Sequence, residues 1–477
     1  MALPGLSLPG LGLASTPAPA YGGPTQPPTE QVARREELPA QAEWRFEAAF
    51  TQQYTVRVLH GHAELFGVEL ATNQPYNLSG SKGAIFTWQG CQLEITGEAE
   101  SEYAAQETEY AIEWLNLHGM LETARDDRPT DGPRVLVVGP DHVGKSSLTR
   151  TLAARAVKAG RHPTVISLDP REGLLGPPSS LTTVTVGSQM DVENGFGISP
   201  ISGPTVTPVK TPLIYHYPYA SPAERPAVYK ALLTRIALST MNKLEEEPAA
   251  KQSGIIIDAP GSLNDPKNGY EIIHHLISEF SINLVISIGS ERLYNDLNRR
   301  YGANKGPDSA LTVLKLAKPG GAIERDASYM KQLRTRQIRQ YFFGSSKESL
   351  SPHSHMIGFD DMIIYRAKPA SGEVEKYGAD DDDYDPSSSS PVVSTNATFE
   401  KITPSAAMTG SLIAIKFCPS NSEDYAVRDS AVMGYLYVAD VDEARKKVRF
   451  LAPHPQRWGD RALVWAQWPE AVADLVT

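Results

Sequence analysis

Residues 135–148, which read VLVVGPDHVGKSSL, constrain the fold more than any other part of the chain. An apolar, β-branched run comes first, then the pattern G-x-x-x-x-G-K-S at 139–146, then residues typical of a helix. In such a loop, glycines let successive N–H groups face phosphate oxygens, and the helix N-terminus adds partial positive charge. A fortuitous glycine turn is the alternative, but the flanking pattern favours a phosphate-binding loop, called the P-loop below.

The side chains of the P-loop predict how a nucleoside triphosphate is held. Lys145 is expected to reach the β- and γ-phosphates, and the Ser146 hydroxyl to complete a Mg²⁺ shell. We predict that the nucleotide contacts the loop and the first turn of the helix, at Gly139, Asp141, His142, Val143, Gly144, Lys145, Ser146 and Ser147.

Composition excludes several classes of protein. The 477 residues predict two or three domains, because single cores rarely grow beyond about 250–300 residues. Cys91 and Cys418 fit no metal or redox spacing, which favours reduced thiols in the cytosol or nucleus. No apolar run approaches the ~18 residues of a membrane span, so no membrane association is expected. The net charge of −11 argues against a strongly basic nucleic-acid surface, although residues 373–385 alone contribute −6 of it.

Composition shifts divide the chain into segments. Residues 1–38 are rich in Pro, Gly, Ser and Ala and predict a disordered tail. Short β-branched and aromatic runs within 39–126 predict an N-terminal β-sandwich or barrel, followed at 109–121 by a helix or a strand. A central domain is expected at 127–347, and a C-terminal, β-rich α/β domain at 348–477 that carries a disordered acidic insertion at 371–398.

The central domain alternates strands with helices, which predicts an α/β fold with a parallel sheet. Its ligand is expected at the carboxyl ends of the strands, where the P-loop lies. Strands are predicted at 134–138, 164–168, 254–258, 282–288 and 311–316, and helices near 145–159, 223–245, 268–279, 290–299 and 328–341.

Two acids and one arginine are further candidates for this site. Asp169 follows the second strand and could bind Mg²⁺ or accept a proton from an attacking hydroxyl, or it could simply end the strand. Asp258 ends an apolar strand and could hold a Mg²⁺-bound water or cap the next turn. Arg325 lies in a glycine-containing loop and could steady phosphate charge, or it could be a surface residue.

Several segments in one order resemble the polynucleotide-kinase-like subunit of pre-mRNA 3′-end cleavage factor IA, which is related to eukaryotic RNA 5′-hydroxyl kinases. The resemblance runs from about Glu43 to the C-terminus. The family has an N-terminal β-domain, a central P-loop domain and a C-terminal domain, which matches the division above. Besides the P-loop, the segments that carry the resemblance are 43–46 (EWRF), 63–67 (AELFG), 86–91 (FTWQGC), 168–170 (LDP), 213–217 (LIYHY), 291–294 (ERLY) and 320–325 (GGAIER).

The kinase branch of this family offers a comparison residue by residue. The P-loop, the acid Asp169 and one lid arginine, Arg325, are kept. A glutamine three residues after that acid is replaced by Glu172, and the second lid arginine by Met330. The clasp motif, whose tryptophan stacks on an RNA base, reads APGS at 259–262, so Ser262 stands where the family has its aromatic residue. A stacking aromatic contributes about 1–3 kcal/mol per base, so these changes weaken an RNA site but not a nucleotide site.

The resemblance therefore implies an ATP·Mg²⁺-binding scaffold subunit of the nuclear 3′-end processing machinery. It implies that Glu43 and Lys82 contact adenine. The metal site predicted from the residues themselves consists of Ser146, Asp169 and Asp258. The resemblance also implies a peptide from another cleavage-factor subunit on the central domain, with RNA contacted indirectly. The alternatives are an active RNA 5′-hydroxyl kinase, in which Asp169 and Arg325 would be catalytic, and an ATPase or GTPase switch.

Overall fold

The computed structural model describes residues 33–193, 212–268, 270–302, 311–345, 349–368, 398–455, 458–473 and 475. The predicted tail up to residue 32 and the predicted acidic insertion up to residue 397 lie outside these ranges. Within them, no helix combines the length and apolar character that a membrane span requires.

The N-terminal domain is a sandwich of two antiparallel sheets. One sheet has the order β1-β8-β3-β6 and the other β5-β4-β7-β2-β9. Alternation explains the packing: in β8, residues Cys91, Leu93 and Ile95 face the core while the residues between them are half-buried. The strands are β1 (Arg34–Leu38), β2 (Ala42–Glu47), β3 (Thr55–Gly61), β4 (Glu64–Leu65), β5 (Val68–Glu69), β6 (Pro75–Asn77), β7 (Lys82–Thr87), β8 (Cys91–Thr96) and β9 (Ser101–Ala105).

Strand β1 corrects the predicted end of the tail. Residues 34–38 were included in that tail, but they pair antiparallel with β8, Arg34 opposite Ile95 and Leu38 opposite Cys91. The segment reads RREEL and lies at a sheet edge, where Leu38 is its one buried side chain. Such an edge strand has almost no apolar pattern, because charged residues protect it from pairing with other chains.

A helix leads from this sandwich to the central domain. It is α1 (Glu109–Asp127), so the segment that allowed a helix or a strand is a helix. Its inner face is buried at Ala111, Trp114, Leu117 and Leu121, which recur at helical spacing.

The central domain is a seven-stranded sheet of order β13-β12-β11-β14-β10-β15-β16 with helices around it. The five strands from β11 to β16 in this order run parallel, as predicted. The other two strands, β12 and the edge strand β13, join the sheet through antiparallel pairs, and both were missed. The strands are β10 (Arg134–Val138), β11 (Thr164–Ser167), β12 (Ser180–Thr185), β13 (Leu213–His216), β14 (Ile255–Asp258), β15 (Leu284–Ile288) and β16 (Thr312–Leu316), and the helices α2 (Lys145–Lys158), α3 (Pro226–Glu246), α4 (Pro248–Ser253), α5 (Glu271–Glu279), α6 (Glu291–Tyr301) and α7 (Ala327–Phe343).

The C-terminal domain is a seven-stranded sheet of order β17-β22-β21-β20-β23-β18-β19, with one short helix. Its pairs are antiparallel except for β18 and β23, which run parallel. The elements are β17 (His353–Gly358), β18 (Ile364–Ala367), β19 (Phe399–Ile402), β20 (Leu412–Pro419), α8 (Asp424–Asp429), β21 (Val432–Asp442), β22 (Lys447–Ala452) and β23 (Arg461–Trp465).

The hydrophobic cores are not divided as the three domains are. The N-terminal sandwich has a core of its own. One face of the C-terminal sheet instead continues the core of the central domain. At this junction Tyr341 and Phe342, from the end of α7, meet Tyr435 and Tyr437 of β21 edge to face.

Candidate functional site

The P-loop has the geometry that its glycines predict. Gly139 has φ +146°, and a Cβ there would lie 2.3 Å from the carbonyl oxygen of Ile288. Gly144, with φ +90°, begins α2 in a left-handed conformation. Both positions require glycine, because other side chains would be strained or would collide. The Lys145 ammonium donates to the carbonyl oxygen of Pro140 at 2.6 Å, and so lies across the loop.

A cavity of about 280 Å³ opens at the P-loop, between the N-terminal and central domains. The predicted loop residues from Asp141 to Ser147 all line it. Opposite them are Phe66 and Lys82 from the N-terminal sandwich, with Arg325 from the loop before α7 and Tyr329 from α7 itself. The sheet also places this cavity at the carboxyl ends of β10 and β14, as predicted for a parallel sheet.

The two residues predicted to contact adenine have different surroundings. The Lys82 ammonium lines the cavity, 2.8 Å from Glu47 and 4.9 Å from the centre of the Tyr329 ring. Glu43 is fully buried, and its carboxylate accepts from Arg45 at 2.5 Å and from the Tyr110 hydroxyl. Arg45 and Tyr110 line the cavity, whereas Glu43 does not line it and is connected to it only through these two side chains.

Asp258 supplies a buried carboxylate at the base of the P-loop. It ends β14 and is 4% exposed, and its Oδ1 accepts no hydrogen bond from the residues that the structure describes. Burial and the nearby Glu172 carboxylate raise the pKa of Asp258 to about 7, against the opposing effects of Lys145 and Ser146. A buried, unsatisfied oxygen beside a P-loop serine is a suitable donor for a hard cation or its waters.

Asp169 is engaged by an ion pair. Its carboxylate accepts from Arg171 at 3.0 and 3.1 Å, and Arg171 also donates to Asp141 at 2.7 Å. The arginine therefore links the acid after β11 to the P-loop. Sequence reasoning missed Arg171, although its position two residues after Asp169 was a signal for a local pair.

The segment in place of the family's clasp packs directly on the P-loop. A Cβ at Gly261 would lie 2.1 Å from the Asp141 Oδ1 and 2.5 Å from its backbone nitrogen. The neighbouring Ser262 is partly buried and has no aromatic face to offer a base. The backbone of Gly261 therefore contacts the P-loop directly, with no side chain between them.

Arg325 and Glu172 pair with each other across the cavity. The Arg325 guanidinium contacts the Glu172 carboxylate, and Gln337 of α7 donates to the Glu172 carbonyl oxygen at 2.5 Å. Burial opposes ionisation of Glu172, but Arg325, Lys145 and Arg150 outweigh it and lower its pKa below the usual range. Arg150 also lines the cavity and was missed, although it follows Ser146 by one helical turn.

The site thus gathers Lys145, Arg150 and Arg325 around one cavity that two domains enclose. Three cations and a curled loop of N–H donors suit a polyphosphate. Among the described residues, no group of three His, Cys, Asp or Glu side chains is arranged to hold a metal ion alone. Mg²⁺ usually takes one or two protein carboxylates together with phosphate oxygens and water.

Two fungal proteins align with the whole chain. The mRNA cleavage and polyadenylation factor CLP1 of Phaeosphaeria nodorum is 46% identical over 478 residues, covering 99% of this chain and 100% of that protein. The chain belongs to the CLP1 family. The factor of the same name from Botryotinia fuckeliana is 40% identical, with the same shares covered. The family resemblance predicted from sequence motifs is confirmed.

Three family models follow one another along the chain. The N-terminal β-sandwich domain of polyadenylation factor matches residues 37–128. The P-loop model of mRNA cleavage and polyadenylation factor CLP1 matches 139–344, and the model for pre-mRNA cleavage complex II protein Clp1 matches 350–470.

Two solved structures share the fold. One is a Clp1p–Pcf11p complex with a TM-score of 0.79 and 23% identity, covering 92% of this chain and 98% of that one. The other concerns the extended interface between Pcf11p and Clp1p and ATP loss in a point mutant, with a TM-score of 0.80, 24% identity, and 92% and 99% covered. The predicted fold class, a P-loop α/β domain between two β-rich domains, is confirmed.

Proposed function

We propose that this chain is an ATP-binding, non-catalytic scaffold subunit of the nuclear machinery that cleaves and polyadenylates pre-mRNA. The observation that carries this proposal is the position of the cavity. It lies between a sandwich with its own core and a P-loop domain with another, so a ligand there touches both. Binding only the assembled form would stabilise it by about 2.7 kcal/mol at a hundredfold excess over the dissociation constant.

The residues of the cavity fit ATP·Mg²⁺. The P-loop from Gly139 to Ser147 would hold the phosphates, and Lys82 would contribute from the N-terminal side, with Glu43 acting through Arg45. Ser146 and Asp258 would hold Mg²⁺, which neutralises phosphate charge when bound. Asp169 remains a candidate ligand at the edge of the site, although Arg171 already compensates its charge.

Three contacts argue against phosphoryl transfer to RNA. Glu172 forms an ion pair with Arg325 and so compensates the positive charge that would otherwise stabilise a transferring phosphoryl group. Arg171 forms an ion pair with Asp169, so this carboxylate is already engaged and is not free to accept a hydrogen bond from an incoming hydroxyl. Gly261 lies against Asp141, and Ser262 provides no surface on which a base could stack.

We propose that a peptide of another cleavage-factor subunit docks on the central domain and brings the chain into a larger complex. The related structures that contain Pcf11p support a partner of this kind. RNA would then be reached through the complex, in the nucleus, where pre-mRNA is processed. We also propose domain limits near 39–126, 127–347 and 348–477, with β1 added to the first.

The second candidate function is an ATP-dependent RNA 5′-hydroxyl kinase. The observation that favours it is that Lys145 and Arg325 line the cavity, with Asp169 close by through Arg171 and Asp141. In that case Asp169 would be the general base and Arg325 would stabilise charge, once nucleotide displaced both ion pairs.

The experiment that separates the two functions begins with purified protein. It is denatured, and any released nucleotide is identified and counted. A portion is incubated with γ-labelled ATP and a 5′-hydroxyl RNA. We expect intact ATP near one per chain and no labelled RNA. The double variant Lys145→Ala, Ser146→Ala should carry no nucleotide, while Lys158→Ala, at the exposed end of the same helix, should carry as much as the parent.

Labelled RNA from the parent protein, lost in the double variant, would establish the kinase and overturn the scaffold. If the parent protein released no nucleotide and bound no ATP in a titration, both candidate functions would be contradicted, because both require ATP binding.

A further inference from the structure

His142 is a feature of the P-loop that the phosphate cradle itself does not require. It occupies one of the four variable positions of G-x-x-x-x-G-K-S, between Asp141 and Val143. Its backbone is left-handed, with φ +61°, a region in which histidine is several-fold enriched among side-chain-bearing residues. Its side chain lines the cavity.

The imidazole faces charged groups from three segments. Asp141 is its neighbour in the P-loop, Arg171 and Glu172 follow β11, and Arg325 comes from the loop before α7. Its Nδ1 is buried and makes no hydrogen bond to the residues that the structure describes. The ring therefore has an unused polar atom inside a cavity that is built for an anion.

The position of Arg325 shows which end of the cavity His142 occupies. In a P-loop, the lysine and the serine that follows it lie at the β- and γ-phosphates. Arg325 pairs with one carboxylate oxygen of Glu172, and the other oxygen is 3.5 Å from the Ser146 hydroxyl. Arg325 therefore lies at the end of the cavity where the terminal phosphates would bind. Because His142 and Arg325 line the same cavity and Arg325 acts electrostatically on the imidazole, a terminal phosphate in this cavity would come near the ring.

We propose that His142 is a positioning residue for the terminal phosphate, and that it gives the cavity a preference for triphosphate over diphosphate that grows as pH falls. This inference rests on the proposed nucleotide site and names its regulation. A diphosphate, which ends one group earlier, would place less charge beside the ring.

The direction of the pH effect follows from the charges. Without nucleotide, burial and then Arg325 lower the pKa of His142, while Asp141 and Glu172 oppose them. A terminal phosphate adds negative charge, which favours the imidazolium and raises this pKa. Binding is then coupled to uptake of a proton, and by linkage the affinity for triphosphate increases as pH falls from about 8 to about 6.

The test is calorimetric titration of nucleotide-stripped protein with MgATP and MgADP at about pH 6, 7 and 8, in two buffers of different ionisation enthalpy. The variants are His142→Asn, which keeps a polar residue that tolerates the left-handed backbone, and His60→Asn, a matched control on the exposed end of β3. We expect the ATP-to-ADP affinity ratio of the parent and of His60→Asn to rise about three- to tenfold from pH 8 to pH 6.

In His142→Asn, that rise and the accompanying proton uptake should shrink to what the nucleotides and Asp258, whose pKa is about 7, produce without the imidazole. If ATP still binds and the ATP-to-ADP affinity ratio changes equally with pH in the parent and in His142→Asn, this inference is overturned and the proposed function is left intact. Absence of ATP binding by the parent would instead overturn the proposed function, and the inference with it. If Asn impairs ADP binding, His142→Gly replaces it, because glycine adopts the same backbone conformation.

Discussion

The two junctions of the central domain are built in opposite ways. Towards the C-terminal domain it shares one continuous apolar core, in which Tyr341 accepts a hydrogen bond from the Tyr435 backbone N–H at 3.0 Å. Towards the N-terminal sandwich it offers polar contacts and a cavity. There Arg155 bonds Glu64 at 2.8 Å, and Arg336 bonds the Ser79 carbonyl oxygen at 2.6 Å.

The difference shows where a ligand can matter. Apolar burial holds two surfaces together without help, and it contributes about 25 cal/mol for each Å² removed from water. Ion pairs near a surface contribute far less and depend on salt. The C-terminal junction is therefore permanent in this fold, whereas the N-terminal junction is the one that a bound nucleotide can strengthen.

The largest expected effect is on the shared core. Phe342→Ala removes a fully buried ring that packs on Tyr341 at 5.1 Å and on Tyr437 at 6.1 Å, so we expect a loss of about 3–5 kcal/mol. Denaturant unfolding measures it, with Leu238→Ala, on an exposed part of α3, as the control. A small loss, with the C-terminal domain melting separately, would contradict a shared core.

Lys416 is the exception inside this apolar junction, and it predicts a pH dependence. The side chain is 1% exposed and 3.5 Å from the Arg428 carbonyl oxygen, and burial lowers its pKa to about 7 despite Cys418 and Asp429. The unfolded chain binds this proton up to about pH 10.5, so stability increases with pH between about 7 and 10, by at most about 1.4 kcal/mol per pH unit.

Urea unfolding across that range compares the parent with Lys416→Met. In the variant, the part of the pH dependence of stability that is due to this lysine should disappear. The variant should also be more stable near pH 7, because no ammonium has to be desolvated. If the free energy of unfolding changed equally with pH in both proteins, Lys416 would keep its proton in the folded state. A partner would then have to compensate the buried charge.

An intermediate effect is expected at the N-terminal junction. Arg155→Met removes the ion pair to Glu64 and the guanidinium 5.9 Å from the centre of the Trp88 ring, and we expect a loss of about 1.5–3 kcal/mol. Because Arg155 and Glu64 line the cavity, ATP should also bind more weakly, as titration would measure. Unchanged affinity would mean that the two domains stay in place without this pair.

The smallest effect is expected one helical turn further on. Lys158 pairs with Glu69 at 2.9 Å across the same junction, but both side chains are about half exposed. Lys158→Ala should cost about 0–1 kcal/mol in thermal unfolding at low salt, and nothing measurable in high salt. A loss as large as that of Arg155→Met would show that exposure does not separate the two pairs.

Sequence patterns predicted the elements whose burial is simple. The P-loop, the five parallel strands and the helices after them follow from periodicity. Strand β12 was missed because Thr182 and Thr183 are buried among hydroxyl-bearing residues, so that it has neither an apolar run nor alternation. Helix α1 was left undecided because Ile112 and Leu115 are apolar on its exposed face and obscure the helical period.

The site was predicted in its local parts and missed where it depends on distant contacts. Of the P-loop residues predicted to bind nucleotide, those from Asp141 to Ser147 line one cavity, and Gly139 is not among its lining residues. Glu172 stands where the family has a glutamine, and its charge is compensated by Arg325, 153 residues away in the chain. Such a pair cannot be derived from spacing, because the tertiary fold alone brings the two residues together. The contacts of Glu43 with Tyr110, 67 residues away, are of the same kind.

The shared core also has a consequence for how the chain is made. Tyr341 leaves the ribosome 94 residues before Tyr435, which closes over it. At about 5–20 residues per second, the end of α7 would wait roughly 5–20 s with its aromatic surface uncovered. We therefore expect chaperones that bind nascent chains to bind the central domain, and translation pauses after residue 343 should reduce the yield of native protein more than pauses before the P-loop.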